Sequence, residues 1–580
     1  MFVNTWQFDM SMGKGCQEQS VPSALLSLVQ MILEGPSIDV QSLEQQTSPA
    51  LTIAQLMVFN GVHHKRTSVN RVSPAKRHAK EQETPLPLYV GLAVHAATRK
   101  KRLVDKLFNL GICVSYERVM SVLNDVASGL CDRFEIDKAV CPLNLKCETF
   151  TTAAVDNIDH NPSATTAHSS FHGTGISLQQ YPDPTVSCTA PTVQPTVLCP
   201  QAPGQVFSLP ESYTFVPPVR LVKQEPDVPL FQSDVGIDTT VDVMASNVES
   251  VALDESKWLH SVWANWQSGT FAADSVCSWS AYHAQSHATS QQGISVCGML
   301  PLFHENAHSV AMIRHAMDVV HTSVAKLNPC EVPVIAFDQP LYTLAKLIQW
   351  NWPEYYDESK FVIMFGGLHV EIAALKALGS LVTGSGWAKA ITDAGIVSSG
   401  SAEGLLTASH VRRCRHAHEI SLAALHILQQ LAYEKSGGDN SSVSFADWCS
   451  QQCLDHPQFA FWSAVMQLQT AILVFVRSLR ESDFDLCVNS LSQLLPWLFA
   501  LDRTNYARWL SVHVRDMREL SKLHPVVLAE FRSGKFTVNK TGNKFSAIAI
   551  DQAHEQLNVV VKGDGGIVGL TDNDKALRRL

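Results

Sequence analysis

The sequence predicts an α/β chain carrying a large all-α insertion. Three observations predict it. Short apolar runs ending in polar residues alternate with helical periods between Val332 and Leu381. From Glu371 to about Arg532 almost every segment has helical period. Strand patterning then returns at Phe536–Val538 and Phe545–Ile550. Alternating strand and helix with short connections implies a mixed or parallel sheet covered on both faces.

Taken in order, Pro22–Glu34 reads as an amphipathic helix with Pro22 tolerated in its first turn. Leu88–Gly129 is nearly continuous helix. Gly111 ends a segment over Arg102–Leu110, and Ser115 offers an N-cap to Tyr116–Ala127. This pair is either helix-turn-helix-like or a plain helical hairpin. Phe150–Asp159 reads as a strand, Phe171–Gln180 as its hairpin partner, and Val206–Val219 as a third strand. Trp258, Trp263 and Trp266 read as the core face of a helix, and His304–Lys326 as an amphipathic helix. Strand Val332–Phe337, helix Leu341–Trp350, strand Phe361–Phe365 and helix Val370–Leu381 follow. The helical stretch 371–532 is expected to have its own core, including Trp462, Leu468, Trp497 and Trp509. A last helix is expected over Asp551–Val560.

Composition narrows the class. Hydrophobic residues make up 46% of 580 and aromatics 8%, which excludes global disorder. The longest apolar run, Ala471–Val476, is far shorter than the ~20 residues of a bilayer span, so no membrane association is expected. The 14 cysteines contain no CxxC pair, which argues against a disulfide scaffold or zinc ribbon. No GxGxxG, P-loop or GxSxG string occurs, so no small-molecule cofactor is expected.

Charge is uneven. Net charge is −10, yet Gly61–Asp105 holds ten Lys/Arg against three Asp/Glu. Lys76, Arg77, Lys80, Arg99, Lys100, Lys101 and Arg102 form the densest part, a candidate DNA-phosphate strip or nuclear-import signal. A solvated surface is the plain reading. Tyr181–Pro229 carries eleven of the 27 prolines and reads as a linker or loose insertion. Within it, Val222-Lys223-Gln224-Glu225 suits conjugation by a ubiquitin-like modifier.

The candidate chemistry sits at strand ends, where open α/β sheets bind ligands. The first strand carries Asp156, with Asp159 in reserve. The second ends at Asp338, and the third at His369. Glu555 lies on the polar stretch Asp551–Gln556. Carboxylates gathered at one sheet edge suit a pair of Mg²⁺ or Mn²⁺ ions, the arrangement used for in-line phosphoryl displacement. Each residue also has an ordinary use: Asp338 as a helix N-cap, Asp159 as a turn former, His369 as a hydrogen-bonded core residue. A rival string, His304-Glu305-Asn306-Ala307-His308, matches HExxH and would bind zinc if its histidines shared a helical face.

Three strands, then helix, strand, helix, strand, a helical excursion and a last helix bearing Glu is the chain order of an RNase H-like fold with a helical insertion. That is the arrangement of hAT-type and related cut-and-paste transposases. Asp156-Asn157-Ile158-Asp159, Phe337-Asp338-Gln339, Gly366-Gly367-Leu368-His369-Val370-Glu371 and Glu555-Gln556 with Gly565-Gly566 resemble a multicopy family of uncharacterised animal and fungal proteins associated with mobile elements. The resemblance implies Asp156 as first metal carboxylate, Asp338 as a bridge between two metals, Glu555 completing the site, and His369 beside the leaving group.

These readings divide the chain into a basic N-terminal region (1–87), a helical region (88–147), a first core part (148–370) interrupted by the Pro-rich acidic stretch 181–255, a helical insertion (371–535), and a last, truncated core part (536–580). The expected function is a nuclear, metal-dependent DNA strand cleavage or transfer, with DNA and a second copy of the chain as partners. The alternative is a decayed or domesticated protein that binds DNA or protein without catalysis.

Overall fold

The structure, a computed structural model, describes residues 16–35, 48–61, 83–98, 100–142, 144–160, 171–182, 210–221, 252–269, 278–286, 293–437 and 443–562. Its centre is a five-stranded mixed sheet of β1 (Thr151–His160), β2 (Phe171–Gln180), β3 (Val296–Met299), β4 (Val334–Phe337) and β5 (Val362–Phe365), in the order β3-β2-β1-β4-β5. β1 and β2 form a ten-residue antiparallel hairpin, and β3 pairs antiparallel with β2. β1, β4 and β5 run parallel, with Val155 opposite Phe337 and Phe337 opposite Phe365. All residues of β4 and β5 are buried, as parallel strands covered on both faces require.

Among the described residues, the longer helices that frame the sheet and extend from it are α1 (Val310–Leu327), α2 (Gln339–Asn351), α3 (Gly367–Val382), α4 (Val411–Lys435), α5 (Pro457–Glu481), α6 (Phe484–Ala500), α7 (Thr504–Leu523) and α8 (Ile550–Val561). Before the sheet, helices Pro85–Thr98, Lys101–Asn109 and Tyr116–Asp137 pack around Leu88, Val104, Val114 and Val119. Gly111 takes φ +73° at the turn, and Ser115 accepts the Arg118 N–H, as their positions predict. The Arg118 side chain pairs with Glu83 instead of completing a capping box.

α8 reaches back across the helical segment to lie on β1 and β2. Two contacts explain its docking. Ser177 Oγ lies 2.7 Å from His554 Nδ1. Gly175, opposite Asp156 in the ladder, has no side chain, and a Cβ there would stand 3.3 Å from His554 Nε2 and 2.9 Å from the Met299 methyl. Lacking one, it lets the helix settle close to the strand.

Several expectations change. The third strand expected over Val206–Val219 is not found in the part of that span that is described, 210–219, while 206–209 lie outside the described residues. Residues 210–221 carry only the short helix Glu211–Thr214, because Pro210, Pro217 and Pro218 withhold backbone donors. Val296–Met299 pairs with β2 in its place. The helix expected from His304 begins at Val310, capped by Ser309, whose Oγ accepts the Met312 N–H. Phe303 is held to Thr174 by two backbone hydrogen bonds, so the residues after it turn rather than coil. Of the tryptophans on Leu253–Gln267, Trp258 is buried while Trp266 is 44% exposed. Among the described residues, the stretch 371–532 is mostly helical and shares its main core with the sheet. Leu468, Ile472, Phe475 and Leu491 belong to one cluster with Val334, Ile335, Val362 and Ile363 of the sheet. Trp462, Trp497 and Trp509 are half-buried against that cluster.

α5 is long and apolar enough to cross a membrane by length and composition, with a mean hydropathy of 1.7. Half of that stretch is buried here, packed on α3, α4 and α6. The run-length criterion overlooks it because polar Gln467, Gln469 and Thr470 interrupt the apolar residues.

Candidate metal centre

Parallel pairing sets β1, β4 and β5 side by side; Asp156 follows the last β1 residue paired with β4, and Asp338 and His369 lie beyond the carboxyl ends of β4 and β5. Asp156 follows Val155 on β1. Asp338 follows Phe337 on β4. After β5, the Gly366 N–H bonds the Phe337 carbonyl at 2.7 Å and the chain turns into α3, whose first turn carries His369. α8 brings Glu555. Asp156, His369 and Glu555 each present a ligating atom, all within 4.8 Å of one another, although 399 residues separate the first from the last.

A fourth residue organises the group. Asp551, one helical turn before Glu555 on α8, caps α3 from outside. Its Oδ1 accepts the Leu368 N–H at 3.1 Å, its Oδ2 accepts the His369 N–H at 3.2 Å, and Oδ2 also stands 3.0 Å from His369 Nδ1. The residue before α3, Gly366, has no side chain to cap with, and a Cβ there would lie 2.5 Å from Asp551 Oδ2. Glycine is thus the residue that admits the foreign cap.

The electrostatics follow from crowding. Burial raises the Asp156 carboxyl, and the charges of Asp338 and Glu555 raise it further, to about 8, against a smaller lowering by His369. Asp338 is raised too, chiefly by burial, while the Leu341 N–H it caps opposes the shift. Burial would depress His369, but its hydrogen bond to Asp551 and the charges of Asp551, Asp156 and Asp338 bring it up to about 9. Tyr506 of α7 faces the same group, and burial with the charges of Asp338 and Asp551 raises its phenol to about 12.

A divalent cation fits this donor set. Ligand atoms around an ion bonded at ~2.1 Å lie roughly 3–4 Å apart, close to the 4.8 Å within which these three atoms lie. Burial first, and then the charges of Asp338 and Glu555, raise the Asp156 carboxyl, and a bound cation would offset both effects.

The sequence candidates separate cleanly. Asp156, Asp338, His369 and Glu555 converge. Asp159 does not: three residues beyond Asp156 on a strand, it projects from the opposite face, where it is exposed and pairs with His172 Nδ1 at 2.8 Å. It is not a reserve for Asp156. His304, Glu305 and His308 are exposed on an irregular segment, so the HExxH string lacks the helical face a zinc site needs. Lys100, Lys101 and Arg102 are exposed at the start of Lys101–Asn109. Lys76, Arg77, Lys80 and Arg99 lie outside the described residues, as do Val222–Glu225 and the C-terminal Gly565-Gly566.

Sequence reasoning missed Asp551 and Tyr506. A signal for Asp551 existed, since it stands four residues before Glu555 and so shares its helical face. Tyr506 carried none, because only the tertiary fold brings α7 to the sheet.

No curated protein matches the chain, and no solved structure matches it. Residues 278–447 and 439–580, which include Asp338, His369, Asp551 and Glu555, match a family model described as a domain of unknown function, DUF8702. Together these segments cover more than half of the 580 residues, and the chain belongs to that family.

Proposed function

We propose that this chain is a transposon-derived protein with an RNase H-like core that cleaves or transfers DNA strands at a divalent-metal site. The observation that carries the reading is the convergence of Asp156, Glu555 and His369 within 4.8 Å, with the charge of Asp338 bearing on Asp156. The strand order β3-β2-β1-β4-β5, with the first three strands antiparallel and the last two parallel to β1, agrees with such a core. So does a last helix delivering Glu555 after a long helical excursion.

In this reading Asp156, Asp338 and Glu555 hold Mg²⁺ or Mn²⁺. A cation bound there would lower the pKa of an attacking water or 3′-hydroxyl and stabilise charge on the leaving oxygen. Asp338 can serve while still capping α2, because the cap, the Leu341 N–H at 3.0 Å, uses Oδ1 alone. DNA would be held by phosphate contacts. Lys100, Lys101 and Arg102, exposed together at the start of one helix, support this as a cluster of cations open to phosphate. Nuclear residence and a homodimeric assembly belong to the same reading.

One observation favours a binding-only protein instead. With Asp338 engaged as an N-cap and Asp156 protonated near neutrality, the metal-free site is compatible with folding alone. Nicking of a supercoiled plasmid separates the two. The proposal expects Mn²⁺- or Mg²⁺-dependent relaxation that chelation stops and Asp156→Asn removes. A purified, folded chain that binds DNA but never nicks it would favour the binding protein.

A further inference from the structure

The tight trio is not made of carboxylates alone. Of the ligating groups within 4.8 Å, one is the His369 imidazole, while Asp338 stands outside that set. The imidazole is also held as a ligand would be. Asp551 accepts two backbone N–H bonds, from Leu368 at 3.1 Å and His369 at 3.2 Å, which hold its carboxyl group in place. Oδ2, which already accepts the His369 N–H, stands 3.0 Å from Nδ1; with Nδ1–H donating to that oxygen, the neutral ring carries its lone pair on Nε2. A carboxylate behind a histidine, fixing its tautomer and its orientation, is the usual support of a metal-binding imidazole. The absent side chain of Gly366 leaves the room Asp551 needs.

We infer that His369 is itself a metal ligand through Nε2, that Asp551 is its positioning residue, and that the Asp156–His369–Glu555 set selects a first-row transition ion such as Mn²⁺, Co²⁺ or Zn²⁺ over Mg²⁺. The chemistry is that of the donors. Mg²⁺ demands oxygen ligands in near-octahedral array and dehydrates reluctantly, whereas an imidazole nitrogen suits transition ions, with affinity rising from Mn²⁺ towards Cu²⁺. The inference rests on the proposed function only in requiring that the site take a divalent cation. DNA plays no part in it.

The test uses the full chain and metals alone. Calorimetric titration should show Mn²⁺ and Zn²⁺ binding at least tenfold more tightly than Mg²⁺. Pulsed electron paramagnetic resonance of bound Mn²⁺ should show nitrogen modulation from one coordinated imidazole. That modulation should vanish in His369→Gln and persist in His304→Gln. Asp551→Asn should weaken Mn²⁺ binding roughly 10–100-fold, the usual effect of removing a histidine's supporting carboxylate. Bound Mn²⁺ without nitrogen modulation, or His369→Gln binding Mn²⁺ as tightly as wild type, overturns the inference and leaves a carboxylate-only site for the DNA reading. Nitrogen modulation in a protein that never cleaves DNA upholds the inference and sinks that reading. Should His369→Gln fail to fold, by circular dichroism, the wild-type spectrum still decides: no nitrogen signal, no imidazole ligand.

Discussion

Asp551 Oδ2 stands 3.0 Å from His369 Nδ1, joining the last described helix to the turn after the fifth strand across 182 residues of sequence. This one pair ties the ending of the chain to the sheet, caps a helix that has no cap of its own, and orients the imidazole of the candidate centre.

The first prediction tests that cap. At Gly366, φ is −64°, which any residue can adopt, so substitution is costly through the contacts a Cβ makes, 2.5 Å from Asp551 Oδ2 and 3.0 Å from the Phe337 carbonyl oxygen. Gly366→Ala should destabilise the chain by about 1–3 kcal/mol, the range for an overpacked site, and should weaken metal binding. Denaturant unfolding checks it. A midpoint equal to wild type would show that Asp551 is not held where the structure has it.

A second prediction concerns pH in the absence of metal. Asp156 is raised from 3.8 to about 8, so its contribution to stability is fully present below about 3.8 and lost as pH rises through about 8. His369, raised from 6.5 to about 9, contributes fully below 6.5, and that contribution is lost as pH rises through about 9. Both act in the same direction. The melting temperature of metal-free protein should fall between pH 6 and pH 9, and Asp156→Asn should melt above wild type at the alkaline end. Equal destabilisation by Asp156→Asn at both ends would contradict the account.

The third prediction follows from the single core. Leu468 is fully buried within the cluster that also contains the sheet. Lys346 of α2, 1% exposed, lies between Glu358 at 2.7 Å and Asp516 of α7 at 3.0 Å, clamping the helical segment to the α/β part. Leu468→Ala should cost about 2–5 kcal/mol. Lys346→Ala removes one of the two cations there, Arg515 still pairing with Glu358 and Asp516, and should cost about 1–3 kcal/mol. Calorimetry should show both variants lowering one transition that includes the sheet. Two separated transitions, only one of which moves, would mean that residues 371–532 fold alone after all.

A fourth prediction addresses DNA. Replacing Lys100, Lys101 and Arg102 by Gln should flatten the dependence of log affinity on log salt by about 0.9 per lost phosphate contact and weaken binding to all sequences alike. Lys101 Nζ also lies 5.4 Å from the Tyr116 ring centroid, which orders its stem at the helix start. An unchanged slope would assign these cations to a solvated surface.

The sheet was legible where apolar runs were bounded by polar residues: β1, β2, β4 and β5 all lie within a few residues of their predicted spans. Asp156, Asp338 and His369 were legible for the same reason, since the end of a buried strand is where a polar group meets a ligand. β3 was not, because four residues beside a hairpin leave no periodicity to read, whereas the proline-bearing stretch 210–219 offered a longer apolar decoy. The continuity of the core was hidden as well: helical period shows that Leu468 faces something apolar, not which element supplies the partner. Asp159 was set beside Asp156 as a reserve although strand alternation already put it on the other face. Asp551 escaped because its partner is a backbone terminus formed only when α8 meets α3.

The most direct measurement is cleavage against binding in Asp338→Asn. The substitution keeps the shape of the side chain and an oxygen able to cap α2, but removes one charge from the centre. Wild type should nick DNA with Mn²⁺, and Asp338→Asn should lose that activity by orders of magnitude while its DNA affinity holds or rises. Nicking that persists in Asp338→Asn at the wild-type rate would contradict a metal centre built on Asp156, Asp338 and Glu555.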